Sequence, residues 1–372
     1  NPHNSLAHRT TWLRSDLSLK HKLRTGKKLI TAALIGCLLL VLAACGSKKT
    51  ADIKILSGSY VQEADQPAKS GQGYLALKVN IRNTTGQELN LSNDDFKLMK
   101  GKQSISPASV SIDGINEIDD QKLDKGDSTN GYVFFKVNKK DKYQLKFSPD
   151  AVNSQNDNKL GSSTTNVNAS SFKDPGESAK TAAKQYIEAV FLNNKTDQQH
   201  NDLANNVNAD AKKYHDDFVN GLRNGVDKNN VTDQQADKIF QDYVNDAAKR
   251  DSISYKVYEA EPDKVTIDVV AKNVNIDDMN FDQLSSDFEK DFMNSHKDDD
   301  NINEDEVDKE AAQYVLNKLP DMISKAQVST DENSGYQLHL TKKNGKWEIA
   351  TSGSDSDDYN SMRDQFLAGL TD

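Results

Sequence analysis

The chain is poor in cysteine, in positive charge and in long apolar runs. Cys37 and Cys45 are its only cysteines, so beyond residue 45 no disulfide and no thiolate metal site can form, and stability must come from packed cores. Basic residues number 47 against 57 acidic ones. Such a balance argues against a nucleic-acid partner, which requires a basic face, and against a chain that lies on anionic lipid by charge alone. After residue 44 no apolar run is long enough to span a bilayer. His200, His215, His296 and His339 lack His-Glu-x-x-His spacing. There is no Gly-x-Ser-x-Gly elbow, no glycine-rich phosphate loop and no dinucleotide fingerprint. These absences lead to the expectation of a non-enzymatic protein without a cofactor. The first methionine is Met99, and the stretch before about Lys20 is long for the start of a secretory signal. An over-extended or fragmentary start is therefore expected, and residues 1–44 are not expected to belong to the folded domains.

What is present begins with an apolar run. Residues 29–44 carry no charge and follow Lys27 and Lys28. As a helix they would reach ~24 Å, short of the ~30 Å hydrocarbon core. The run ends in Leu42, Ala43, Ala44, Cys45 and Gly46. Small residues admit a peptidase, and the cysteine supplies a sulfur for acyl transfer. The arrangement resembles a bacterial lipoprotein signal peptide with its lipobox. That resemblance implies cleavage after Ala44, with Leu42, Ala43, Ala44 and Gly46 as recognition residues. It also implies a diacylglyceryl group on Cys45 and a protein held on the extracytoplasmic face of the cell membrane. Two acyl chains meet the two-signal condition for stable anchoring. The leader holds seven basic residues and one acidic residue, leaving 40 basic and 56 acidic residues, a net of −16. The lipid is then the evident means of attachment.

Residues 45–50 read as a lipidated tether. Over residues 51–150 the pattern has period two. Ile53 and Ile55 alternate, as do Leu75, Leu77, Val79 and Ile81, and later Tyr143, Leu145 and Phe147. Turns are expected at Asn83-Thr84-Thr85-Gly86 and at Lys100-Gly101-Lys102, where glycine accepts positive φ. Short strands at this spacing predict a β-sandwich of about 100 residues. The order of Asn83-Thr84-Thr85-Gly86, Asp95-Phe96-Lys97-Leu98, Leu123, Lys125-Gly126-Asp127 and Gly131-Tyr132-Val133-Phe134-Phe135 resembles the immunoglobulin-like domain of unknown function common in Gram-positive lipoproteins. Lys125 stands where that family often has proline. Residues 151–174, rich in Asn and Ser, read as a flexible linker.

From residue 175 the apolar period becomes 3.6. Ala179, Ala182, Ala183, Tyr186, Ile187 and Val190 form one stripe, and Tyr214, Phe218 and Leu222 lie on a second. Thr232 and Gln235 frame a capping box before a third helix. Strands are expected around Ile253, Tyr255 and Val257 and around Val265, Ile267, Val269 and Ala271. A helix follows around Phe281 and Phe292, and another ends at Pro320. A hairpin turns at Lys343-Asn344-Gly345-Lys346 before Trp347, and a short helix with Tyr359, Met362 and Phe366 closes the chain. Residues 175–372 are thus expected to be an α+β domain, and its element order resembles cone-shaped folds of the nuclear-transport-factor-2-like kind. The fold class is multidomain, an immunoglobulin-like β-sandwich followed by this α+β domain. The pairing resembles Gram-positive surface lipoproteins with two domains of unknown function.

The charge is concentrated late. Residues 51–150 hold 14 basic and 14 acidic residues, whereas 175–372 hold 22 and 40. In the densest acidic run Asp299, Asn301, Asn303 and Glu310 fall at positions 1, 3, 5 and 12 of a calcium loop, but Glu304 replaces the turn glycine at position 6. No metal site is assigned there, and a loop leading into an acid-started helix is the expectation. His339 falls opposite Leu338 and Leu340 on its strand and is expected to face solvent or a shallow cleft. The expected function is a membrane-anchored binding module for a protein, peptide or envelope polymer. The alternative is a small-ligand binder or hydrolase in residues 175–372, which requires a deep pocket holding a buried carboxylate or histidine. A transporter's solute receptor would need two lobes with parallel strands. The oligomeric state is left open.

Overall fold

Alternating apolar side chains settle as strands because each strand can bury one face against another sheet. The structure is a computed structural model and describes residues 50–64, 66–152, 160–193, 202–274, 281–297, 303–329, 335–368 and 370. Its first region is sheet-rich. The strands are β1 (Asp52–Val61), β2 (Gln72–Arg82), β3 (Leu89–Leu91), β4 (Phe96–Lys100), β5 (Gln103–Ile105), β6 (Gln121–Leu123), β7 (Ser128–Asn138), β8 (Lys142–Phe147), β9 (Asp150–Ala151) and β10 (Ser163–Asn168). They pair as sheets β1-β2-β7, β10-β8-β4-β5 and β6-β3-β9. Leu75, Leu77, Val79 and Ile81 of β2 meet Phe96, Leu98, Leu145 and Phe147 of the facing sheet in one buried core. Each such side chain contributes roughly 1.5–3 kcal/mol. Tyr132 to Phe135 is apolar on both parities for a reason outside that core. The chain between β5 and β6 folds over the outer face of β7 and buries Phe134 and Ala76 with Val110 and Ile112.

The second region combines helices with an antiparallel sheet. Its elements are α1 (Pro175–Val190), α2 (Val207–Val226), α3 (Asp233–Arg250), β11 (Ser252–Ala260), β12 (Lys264–Val274), α4 (Phe281–Ser295), α5 (Glu304–Lys325), β13 (Val328–Ser329), β14 (Tyr336–Lys343), β15 (Lys346–Ile349) and α6 (Asp357–Phe366). The sheet order is β11-β12-β14-β15, with β13 paired to β12. Val265, Ile267, Val269 and Ala271 turn one face of β12 towards the helices. His339 points the other way, exposed, with Nδ1 3.2 Å from Thr266 Oγ1. The β14–β15 hairpin has positive φ at both Asn344 (51°) and Gly345 (83°), the primed turn that its sequence predicts.

Two expectations are corrected. Pro320 does not end its helix, and α5 continues to Lys325. The lost hydrogen bond and ring clash cost about 3 kcal/mol. Leu319 and Ile323, both buried, recover that at roughly 1.5–3 kcal/mol each. The span read as a flexible linker, residues 151–174, also holds β10, paired with β8 from Ser163↔Phe147 to Asn168↔Lys142. Val167 and Ala169 are buried in the sheet-rich core, with Leu160 and Phe172 packed against it. An edge strand needs few apolar residues because its outward side chains remain in water. That is why an Asn- and Ser-rich stretch could hide one.

Candidate functional site

The polar chain of residues 172–175 runs between the two regions and fixes them to each other. Tyr60 donates its backbone N–H to Lys173 O at 2.9 Å and its hydroxyl to Ala169 O at 3.0 Å. Lys139 pairs with Asp174, and Asp174 in turn caps α1 by accepting from Glu177 N. Beyond this, Gln62 and Ala260 exchange both backbone hydrogen bonds, at 3.0 and 2.9 Å. The Gln62 amide also donates to Val257 O and Tyr258 O. The edge of the first region's sheet thereby continues into the edge of β11. Residues 47–372 form one compact unit.

Beside this junction lies a cleft of about 750 Å³. Its first wall is the outer face of the β1-β2-β7 sheet, with Ser57, Ser59 and Tyr132. Its second wall is built from the start of α1 and the two hairpin tips of the α+β region, with Ser178, Asp263 and Lys342. Trp347 closes the floor. It is buried, donates from Nε1 to Ser178 Oγ at 3.0 Å and carries the Lys342 ammonium 4.9 Å above its ring. Residues 202–204 strap Trp347 from behind, with Trp347 N donating to Asp202 O and Ala204 N to Trp347 O, both at 2.7 Å. Ser178 donates to Pro175 O and has no histidine beside it in this lining. The cleft therefore offers hydrogen bonds and charges of both signs, with no nucleophile–base pair among its described residues.

Aromatic side chains pack between the helices and the sheet. Phe191 stacks on Phe366 at 4.8 Å, and Tyr214, Phe218, Phe240 and Tyr243 pack edge to face or stacked around them. Tyr214 and Tyr243 both donate to Phe366 O at 2.8 Å. Tyr186 meets the Tyr359 hydroxyl at 3.0 Å and donates to Asp210. Burial raises the ionisation of all four hydroxyls above the ordinary tyrosine range.

One end of this interior is polar. Asp251 Oδ1 accepts from Val274 N at 2.9 Å, but Asp251 Oδ2, both polar atoms of the Asn273 side chain and Gln365 Oε1 are buried without a partner. Each such group costs about 1–3 kcal/mol if left unmade. Burial pushes the Asp251 carboxyl up to about 7, opposed by the Val274 hydrogen bond and Arg250. These residues escape a motif search because they form no motif. The parity of the strands does carry a signal. Asp251 shares the face of Ile253 and Tyr255, and Asn273 shares the face of Val269 and Ala271, so both fall on the helix side of the sheet.

Of the residues singled out from sequence, Leu42, Ala43, Ala44, Cys45, Gly46, Asp299 and Asn301 lie outside the described residues. Asn303 caps α5, accepting from Asp305 N at 3.1 Å, and Glu310 lies on α5 with a carboxylate oxygen 3.9 Å from His296 Nε2. Among the described residues no group of three His, Cys, Asp or Glu side chains could hold a metal ion. The turn residues fare differently. Asn83 is fully buried. Its amide donates to Gln87 O, Leu123 O and Asp124 O, and its backbone pairs with Gly126 N and Asp127 O. The motif at residues 83–86 and the motif at residues 123–127 are thus one buried structural knot.

Comparison with known proteins gives matches along both regions. Residues 49–159 match the family described as domain of unknown function DUF4352. YcdA of Bacillus subtilis (strain 168), an uncharacterized lipoprotein, is 23% identical over 366 residues, covering 90% of this chain and 96% of that protein. The crystal structure of the Bacillus subtilis lipoprotein YcdA aligns with a TM-score of 0.60 at 17% identity, covering 86% of this chain and 97% of that one. At this identity the likeness shows a shared fold: a sheet-rich region followed by a helix-plus-sheet region. Residues 169–363, more than half of the chain, match the second family model, and the chain belongs to the family of the domain of unknown function DUF5105.

Proposed function

We propose that this protein is a lipid-anchored extracytoplasmic binding module, held on the cell membrane through a diacylglyceryl group on Cys45, and that it grips an extended ligand, a peptide or an envelope polymer, in the cleft between its two regions. The cleft carries this reading. Both regions contribute polar side chains to its surface, and its walls are fixed to each other by backbone hydrogen bonds. The aromatic filling of the α+β interior weighs against a deep catalytic pocket and so favours binding over chemistry. The relationship to a lipoprotein of similar length supports the anchor. In this reading the first region is immunoglobulin-like and the second a cone-shaped fold of the nuclear-transport-factor-2-like kind, neither bringing an activity by itself.

The two halves of the proposal are tested separately. Cys45→Ala is expected to release the protein to the medium or leave an unprocessed precursor in a fractionation experiment. Processed, membrane-bound Cys45→Ala would refute the anchor. For the cleft, residues 46–372 serve as bait on intact cells, alongside the double variant Tyr132→Ala/Lys342→Ala. Partners recovered by the parent bait and lost with the double variant support the cleft. Equal recovery by both, or recovery that requires the lipid, refutes it.

A further inference from the structure

The polar end of the α+β interior has a specific imbalance. Three buried acceptor oxygens, Asp251 Oδ2, Asn273 Oδ1 and Gln365 Oε1, stand without a donor, and the Asn273 Nδ2 group is the donor left without an acceptor. Asn273 is 2% exposed. The positions are neighbours. Ser252 pairs with Lys272 in the β11–β12 ladder, which sets Asp251 across from Asn273. Gln365 reaches the same strand, its Nε2 donating to Ala271 O at 3.5 Å. A proton on Asp251 Oδ2 would turn one of these acceptors into a donor, with the Asn273 side chain across the ladder on the same face of the sheet.

We propose that Asp251 is a proton-binding site, held as a neutral carboxylic acid among the buried acceptor oxygens of Asn273 and Gln365, and that loss of this proton loosens the joint between α3, β12 and α5. The joint converges on this residue. Asp251 N caps α3 by donating to Ala247 O at 2.8 Å, and Oδ1 holds Val274 N, whose residue pairs with Val328 in β13. The preceding residue, Arg250, donates to Ile323 O, Ser324 O and Ala326 O at the end of α5. The charged groups acting on the carboxyl are Arg250, which favours its ionised form, and Asp246, which opposes it. Arg250 is itself paired with Asp246. From α2 and α3 the Tyr214 and Tyr243 hydroxyls feel the Asp251 charge but are committed to Phe366 O. On α5, Lys325 pairs with Asp321, and on α6, Arg363 pairs with Asp217. Burial, the largest influence, favours the protonated form.

The sign of the effect is fixed. A carboxyl raised from 3.8 to about 7 on folding binds its proton more tightly in the folded chain. The stability it confers is complete below the unfolded value and is lost as pH rises through the folded one. The test is thermal unfolding of the full chain and of Asp251→Asn from pH 5 to 8.5. The asparagine keeps an acceptor for Val274 and supplies a donor that cannot be titrated. The melting temperatures are expected to lie closer at pH 5 than at pH 7, the gap widening over that interval and staying constant above it, with the variant the more stable by several degrees. Parallel curves across the range, or a variant less stable throughout, would overturn the proposal. Carbon-13 carboxyl titration of the parent chain gives an independent reading. A resonance titrating near neutrality that is absent from Asp251→Asn supports the site, and one within the ordinary carboxylate range overturns it. A third arm compares sodium or potassium with choline at pH 8.5. Stabilisation of the parent chain alone would mean that a cation fills the gap, which also overturns the proton assignment.

Discussion

At the scale of single residues, a few buried polar groups hold more of this chain together than their number suggests. Asn83 is the clearest. Its side chain satisfies three carbonyls, those of Gln87, Leu123 and Asp124, and its Oδ1 accepts from both Thr85 N and Thr85 Oγ1. Asn83→Ala would leave several of these without a partner inside a closed turn that water reaches only in part. At about 1–3 kcal/mol for each group left unmade, with some rescued by solvent, the expected loss is about 2–4 kcal/mol. Asn83→Asp should cost at least as much, because a carboxylate cannot donate to the three carbonyls. Trp347 is the only tryptophan among the described residues, so its fluorescence follows the α+β region. The Asn83 effect should instead be read by far-ultraviolet circular dichroism during urea unfolding. Unchanged unfolding in both variants would show the knot to be dispensable.

At the scale of elements, the sequence is most legible where a single interaction decides an end. The capping box of α3 is such a case. Gln235 N donates to Thr232 Oγ1 at 3.3 Å, and Gln235 Oε1 accepts from Thr232 N at 3.0 Å. Thr232→Ala is expected to cost about 1 kcal/mol, and Thr232→Ser almost nothing, measured by urea unfolding at Trp347. An alanine variant as stable as the parent would assign the start of α3 to packing alone. The primed hairpin at Asn344-Gly345 and the acid-started helix after Asn303 are legible for the same local reason. Pro320 and β10 are not. In α5 the burial of Leu319 and Ile323 outweighs a local rule, and in β10 the partner strand lies some twenty residues away. The candidate sites divide along the same line. Lipid attachment at Cys45 is written as a contiguous motif. The cleft is assembled from Ser57, Tyr132, Ser178, Asp263 and Lys342, which no local pattern joins. The Asp251 cluster lies between the two, since strand parity places two of its members on one face while only tertiary structure brings Gln365 to them.

At the scale of the whole molecule, the question is whether the two regions unfold as one. The chain between them is short, ordered and hydrogen-bonded, and the junction depends on one close approach. Gly58 of β1 lies against Phe172. A Cβ on Gly58 would come within 2.6 Å of the Phe172 ring and 3.1 Å of Leu77. The residue has no left-handed φ, so a side chain there strains nothing in its own backbone. Its effect would fall on Phe172, which must swing away, and with it the segment at residues 172–175 that carries Lys173 to Tyr60 and Asp174 to Lys139. Gly58→Val is therefore expected to leave each region folded while weakening their coupling. In the parent chain the urea transitions followed by circular dichroism and by Trp347 fluorescence should coincide, as a single cooperative unit requires. In Gly58→Val they should separate, and capture of partners through the cleft should fall with the loss of its fixed geometry. Coincident transitions in the variant would move the coupling away from Phe172 and onto the Gln62–Ala260 pair, where Gln62→Ala removes the two side-chain bonds and leaves the backbone pair in place.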